Sequence, residues 1–196
     1  MANTLAPFGF RHIGFLSGGS PDFQLQERAI ASNYGQNIFF GDPVIQSSVG
    51  QYICTAVGTG TALAGIFQGC WYVPTGGGPP QYSPWWPSAG GKVDATALLI
   101  DAPNAVFLAQ SYSAPITSSL IQKNIGFTTT GATATTAGGG ISAYMLSDAT
   151  STSGFFPFRV VNLYNGVGNG SDPTSNYNWA VVTFNYQQYR TGTGTA

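Results

Sequence analysis

The chain has 196 residues, and only 7% of them are charged, against about 25% in an average soluble domain. Net charge is −1, and the six basic residues, Arg11, Arg28, Lys92, Lys123, Arg159 and Arg190, are scattered along the length, which excludes a nucleic-acid backbone as the partner. An ordinary 43% hydrophobic content excludes disorder of the charged kind; it leaves Ser, Thr, Asn, Gln and Gly to form a surface with little charge repulsion to keep copies apart.

Residues 1–35 are punctuated by Pro7, Gly9, Gly14, Gly18, Gly19, Pro21 and Gly35, with Phe8, Phe10, Phe15 and Phe23 between them. This reads as an extended N-terminal arm with apolar anchors, in which only Phe23–Ile30 alternates enough to suggest a strand. An arm so rich in phenylalanine packs on its own body or on a neighbour. Phe8, Phe10, Phe15 and Phe23, with Arg11 beside Phe10, are therefore candidate partner contacts.

Gln36–Val73 reads as three or four short strands: Ile38–Phe40 running on to Ile45, then Tyr52–Val57, then Ala64–Val73. Val, Ile, Phe and Tyr fill them, and Gly-Asp-Pro or Gly-Thr-Gly closes them. Pro43 lacks an N–H and belongs at a strand start, an edge or a bulge. Gly65 and Gly69 allow the last strand to curl or bulge. Pro74–Gly91 is a Gly/Pro loop that carries Tyr82, Trp85 and Trp86. Those rings either fold back over the core or form an aromatic contact patch; as flat platforms they would also suit a sugar face.

Lys92–Asp101 and Ala105–Tyr112 look like a hairpin around Asp101-Ala102-Pro103-Asn104. Ile121–Thr130, Ile141–Leu146, Phe155–Tyr164 and Asn178–Tyr186 are further strand candidates, and Thr128–Gly140 is a Thr/Ala/Gly loop or flat edge. No helical periodicity exceeds about three turns, and the nearest approach is Ser118–Asn124. The expected fold is all-β, a β-sandwich or small β-barrel, with an arm over 1–35 and a β domain over 36–196. In that domain the core strands fall at about 36–112 and the outer part at about 113–196.

Chemistry-bearing constellations are scarce. Cys54 and Cys70 read as buried small hydrophobes or as a disulfide between two strands. The lone histidine, His12, is remote from both cysteines, so neither a metal site nor a cofactor is expected. Asp94 and Asp101 would pass as a glycosidase pair only because any two acids would. The expectation is no catalytic residue and no enzyme. The opening MANTLAP has neither the basic start nor the apolar run of a leader, and no stretch approaches the roughly eighteen apolar residues of a membrane span.

Taken in order, MANTLAPFGFRHIGFLSGG, YGQNIFFGDPV and GIFQGCWYV resemble a family of tailed-phage head proteins. The resemblance continues through Trp86-Pro87, the turn around Asp101 and Pro103, and Phe158–Val160. The family is that of the capsid decoration, or cement, proteins. The resemblance implies a non-enzymatic virion protein on the outer capsid surface, made in the host cytoplasm, with the major capsid protein as partner. A homo-oligomer is expected because Thr128–Gly140 and Val181–Tyr186 would make poorly protected sheet edges; the resemblance to decoration proteins implies a trimer before a dimer. The rival expectation is a tail or tail-fibre component that binds a host glycan through its aromatic loop.

Overall fold

Apolar runs cut short by Gly and Pro yield strands and almost nothing else. The computed structural model describes residues 2–21, 24–47, 52–56, 60–88, 92–129, 140–151 and 154–190. Within them lie twelve strands: β1 (Arg11–Phe15), β2 (Gln26–Ile30), β3 (Pro43–Gln46), β4 (Ile53–Thr55), β5 (Gly65–Pro74), β6 (Gln81–Ser83), β7 (Lys92–Ile100), β8 (Ala105–Gln110), β9 (Asn124–Thr128), β10 (Met145–Ser151), β11 (Phe158–Leu163) and β12 (Trp179–Phe184). The helical candidate at Ser118–Asn124 is a single 3-10 turn over Ser118–Leu120.

Two antiparallel sheets pack together as a β-sandwich. The first runs β1-β8-β12-β11-β9-β10, the second β2-β7-β5-β3-β4, with β6 added beside β5. In the second sheet Ile66 lies opposite Ile100, and Phe67 opposite Leu99. Ile66 and Ile100 join Phe10, Phe107, Phe158 and Phe184 in the core between the sheets. Their chain neighbours Phe67 and Leu99 join Ile38, Val44, Cys70 and Trp86 in a second core. Successive side chains of a strand point to opposite faces, so the second sheet is buried on both. Its outer face is covered by the irregular segment around Ile38 and the loop bearing Trp86.

Three expectations are corrected by the pairing. The first 35 residues are not an arm apart from the β domain. They supply β1, which pairs with β8, and β2, which pairs with β7. Each closes one edge of a sheet in its own chain, and so satisfies backbone groups that burial would otherwise leave unpaired. β7 and β8 are not a hairpin: β7 pairs with β5 and β2, whereas β8 pairs with β1 and β12. The bend at Pro103 and Asn104, closed by Ala105 N–H to Ala102 O at 3.0 Å, carries the chain from one sheet to the other. β12 lies between β8 and β11 and is no edge. Residues 130–139 of the other supposed edge lie outside the described residues.

The Gly-Asp-Pro-Val stretch ties these layers together. Gly41 N–H donates to Phe67 O at 2.8 Å, and Gly41 O accepts from Phe10 N–H at 2.9 Å. Its φ is +87°, and a Cβ there would stand 3.0 Å from Phe10 N. Both facts call for glycine. Pro43 opens β3, where no ladder N–H is needed.

Candidate partner-binding surface

A cleft of about 300 Å³ is lined by Pro7, Phe8, Arg11, Phe40, Pro84, Gly140 and Ile141. Local chemistry explains how four distant segments meet there. Gly9 has φ +72°, and a Cβ on it would stand 2.6 Å from Ser142 Cβ and 2.8 Å from Gly41 O. This left-handed step separates the fates of its neighbours. Phe10 turns inward and stacks on Phe158, with ring centroids 4.2 Å apart. Phe8 stays half-buried at the rim, edge-on to Trp179 at 5.0 Å. The Arg11 guanidinium lies over the Phe8 ring, 5.1 Å from its centroid, a cation–π contact that holds a charge at the mouth of an apolar cleft. On the opposite wall a bridge between Phe40 and Ile141 sets these two side by side, with Ile141 43% exposed.

Gly140 belongs to the floor. It has φ +78°, and a Cβ there would stand 2.5 Å from Trp85 Cγ. Trp85 is therefore sandwiched between Gly140 and Phe39, whose ring is stacked at 5.8 Å. Ser83 Oγ donates to Trp85 O, and Asn37 Oδ1 accepts from Ser88 N–H at 2.7 Å, pinning the loop at both ends. Beneath it Trp86 donates its indole N–H to Tyr34 O at 3.2 Å.

Of the candidate contacts, Phe8 and Arg11 thus line the cleft and Trp85 supports it. Phe10 is 0% and Trp86 1% exposed, so neither meets a partner or a sugar in the folded chain. Both are core residues, because a large ring gains more from burial than from solvent when its polar atoms are satisfied. Phe15 is half-buried against the inter-sheet core, away from the cleft lining. Phe23 lies outside the described residues. Tyr82 on β6 is 50% exposed and pairs with Trp71 on β5, itself 44% exposed, with ring centroids 5.4 Å apart. Trp71, Phe40 and Ile141 were missed by sequence reasoning. Trp71 carried a usable signal, since it alternates with buried Cys70 along β5.

Among the described residues the ionisable groups are dispersed over the fold. Asp42 is 1% exposed, and its Oδ2 accepts Phe39 N–H at 2.8 Å. Burial pushes its carboxyl up to about 7, against the lowering effect of the Ser142 hydroxyl and the Phe39 N–H. His12 is buried in β1, its Nε2 2.9 Å from Gly14 O. Asp101 lies 3.9 Å from Arg28 across the second sheet, and the Asp94 side chain is outside the described residues. Cys54 and Cys70 are free thiols, and burial pushes Cys70 up to about 12. Among the described residues no three His, Cys, Asp or Glu side chains gather as a metal site, and no helix is long and apolar enough to cross a membrane.

Comparison with protein-family models, curated proteins and solved structures finds no match.

Proposed function

We propose that this protein is a structural virion protein, a decoration or cement protein that binds the outer surface of a phage head and stabilises the lattice of the major capsid protein. The observation that carries the reading is the cleft between Phe8, Arg11, Phe40, Pro84 and Ile141. It is mostly apolar and solvent-facing, and Pro7, Phe8, Arg11 and Phe40 come from segments that bear the family resemblance. A protein that binds the assembled lattice and not the free subunit stabilises the shell by mass action. Many copies per particle let each contact be weak. Low charge also favours self-association, and analogy with other decoration proteins puts a closed trimer before a dimer.

The test is co-sedimentation of the purified chain with expanded heads that lack it. Phe8→Ala and Ile141→Asp act on the cleft and leave Phe10 in the core. Loss of occupancy by both variants, with the circular dichroism of the parent, is the expected result. Full occupancy by the folded variants overturns the reading. Deleting the first 22 residues would be a poor substitute, because it removes β1 and Phe10. Light scattering at one chain's mass of 20.4 kDa across a wide concentration range would remove the oligomer.

A tail or tail-fibre protein that binds host glycan is the second reading. It rests on the exposed Trp71–Tyr82 pair, since Trp86 is buried and Trp85 is sandwiched. Glycan-array binding that disappears in Trp71→Ala while head binding is absent would favour it.

A further inference from the structure

We propose that the cleft between Arg159 and Arg190 recognises a carboxylate on an acidic peptide segment of a partner protein. It has a volume of about 480 Å³. Two of the chain's six basic residues line it, and among the described residues no Asp or Glu does. None of its lining residues belongs to the cleft around Phe8 and Ile141, so the two readings stand or fall separately.

Arg159 follows buried Phe158 on β11 and points to the opposite, exposed face. Its Nε–H donates to Asn124 Oδ1 at 3.1 Å and its Nη2–H to Asn185 Oδ1 at 3.0 Å. Both acceptors are neutral amides. They orient the guanidinium without cancelling its charge. Asn185 is itself fixed, donating to Gly154 O at 3.1 Å and to Phe156 O at 2.8 Å. A guanidinium has five N–H donors, and Arg159 Nη1 has no acceptor among the described residues. One edge of the fork is therefore held by the protein and the other is presented to the cleft. That is the geometry in which arginine takes a carboxylate bidentately. Arg190 supplies a second positive charge at the same cleft.

Gln122 strengthens the assignment. It has φ +70°, its N–H donates to Val160 O at 2.8 Å, and it brings a primary amide to the cleft. A side chain rarely adopts that backbone conformation. Leu16, 53% exposed, and Pro103 form an apolar wall beside the charges. Two cations beside an apolar wall match an Asp or Glu with an apolar neighbour. A nucleic-acid strand would need a basic track and open rings for stacking, whereas the phenyl ring of Phe184 is buried at 5% exposure.

The test is a titration of the full ¹⁵N-labelled chain followed at the Arg159 Nε–H resonance. The probes are acetyl-Gly-Glu-Leu-Gly-amide, its Gln counterpart and inorganic phosphate. The Glu peptide is expected to shift the resonance saturably in the millimolar range, and to bind about tenfold more tightly than the Gln peptide. Arg190→Gln should weaken that binding several-fold while leaving the β11 and β12 resonances in place. Arg159→Lys should weaken it too, because the charge remains and the fork is lost. Equal binding of the Gln peptide, phosphate binding as tight as the Glu peptide, or no response to any probe overturns the proposal.

Discussion

The two cores of this molecule are closed in different ways. Between the sheets, Phe158 stacks on Phe10 and Phe184 and meets Phe127 edge-on, so regular strands supply nearly all the contacts. On the outer face of the second sheet, Trp86 and Ile38 come from segments without extended pairing, bridged to each other by Ile38 N–H to Trp86 O at 3.1 Å and Trp86 N–H to Ile38 O at 2.7 Å. Side-chain hydrogen bonds from Trp86, Asn37, Ser83 and Asp42 then hold that cover in place. A strand-built core is positioned by its ladders. A loop-built core must be positioned by individual polar atoms, which brings groups such as Asp42 into the interior. The cleft proposed to bind a partner sits on the loop-built side, with Phe40, Pro84 and Ile141 as its walls.

The contrast can be broken most forcefully at its two largest rings. Phe158→Ala should cost about 5 kcal/mol in chemical denaturation and lower protection in both sheets together. Trp86→Ala should cost about 4 kcal/mol. Its effect should be local in hydrogen exchange, faster around Ile38 and Trp86, with β8 and β12 still protected. Equal loss of protection in β8 would mean that the two cores form one cooperative unit.

Next in size is the pH dependence carried by Asp42. Its carboxyl titrates at about 7 in the folded chain against 3.8 as the ordinary value. Between these values the unfolded chain loses a proton that the folded chain keeps, so stability falls as pH rises. The contribution is fully present below 3.8 and gone above about 7. Asp42→Asn should remove this decline, a gain of a few kcal/mol at pH 8 relative to the parent. Asp172 works in the opposite sense in a separate window. The Thr174 and Ser175 hydroxyls and the Thr174 N–H hold its carboxyl down to about 2, so its contribution is present above 3.8 and is lost as pH falls towards 2. Denaturation midpoints at pH 4 and pH 8 for both chains decide whether Asp42 is responsible.

Gly41 joins the two cores, through Phe10 on one side and Phe67 on the other. Gly41→Ala should cost about 2 kcal/mol, from left-handed backbone and the close approach to Phe10 N. It should loosen both regions at once, unlike Trp86→Ala. The smallest effect is expected at the thiols. Cys54→Ala should cost about 1 kcal/mol or less, since the side chain is only half-buried. Cys70 should stay unmodified by thiol reagents at pH 8 until the outer core opens, because the thiolate is the reactive form and burial holds its titration near 12.

Much of the fold was legible because strands and their breaks are written in local chemistry. Pro43 at the start of β3, the bulge at Phe67/Gly69 and the bend at Pro103 all follow from what proline and glycine permit within a few residues. The unbroken apolar pair Ile66-Phe67 likewise marks a strand buried on both faces. Sheet membership was not legible. β7 and β8 are separated by four residues yet join partners as far off as β2 and β12, and such pairings depend on surfaces that exist only after collapse. The candidate contacts show the same divide. Phe8 and Phe10, like Trp85 and Trp86, are near-identical in sequence terms and opposite in fate. The φ of Gly9 and the hydrogen bonds at Ser83 and Asn37 choose which ring goes inward. Aromatic content and all-β character are properties of the chain; which aromatics reach a partner is settled by long-range packing, where burial free energy outweighs any local preference.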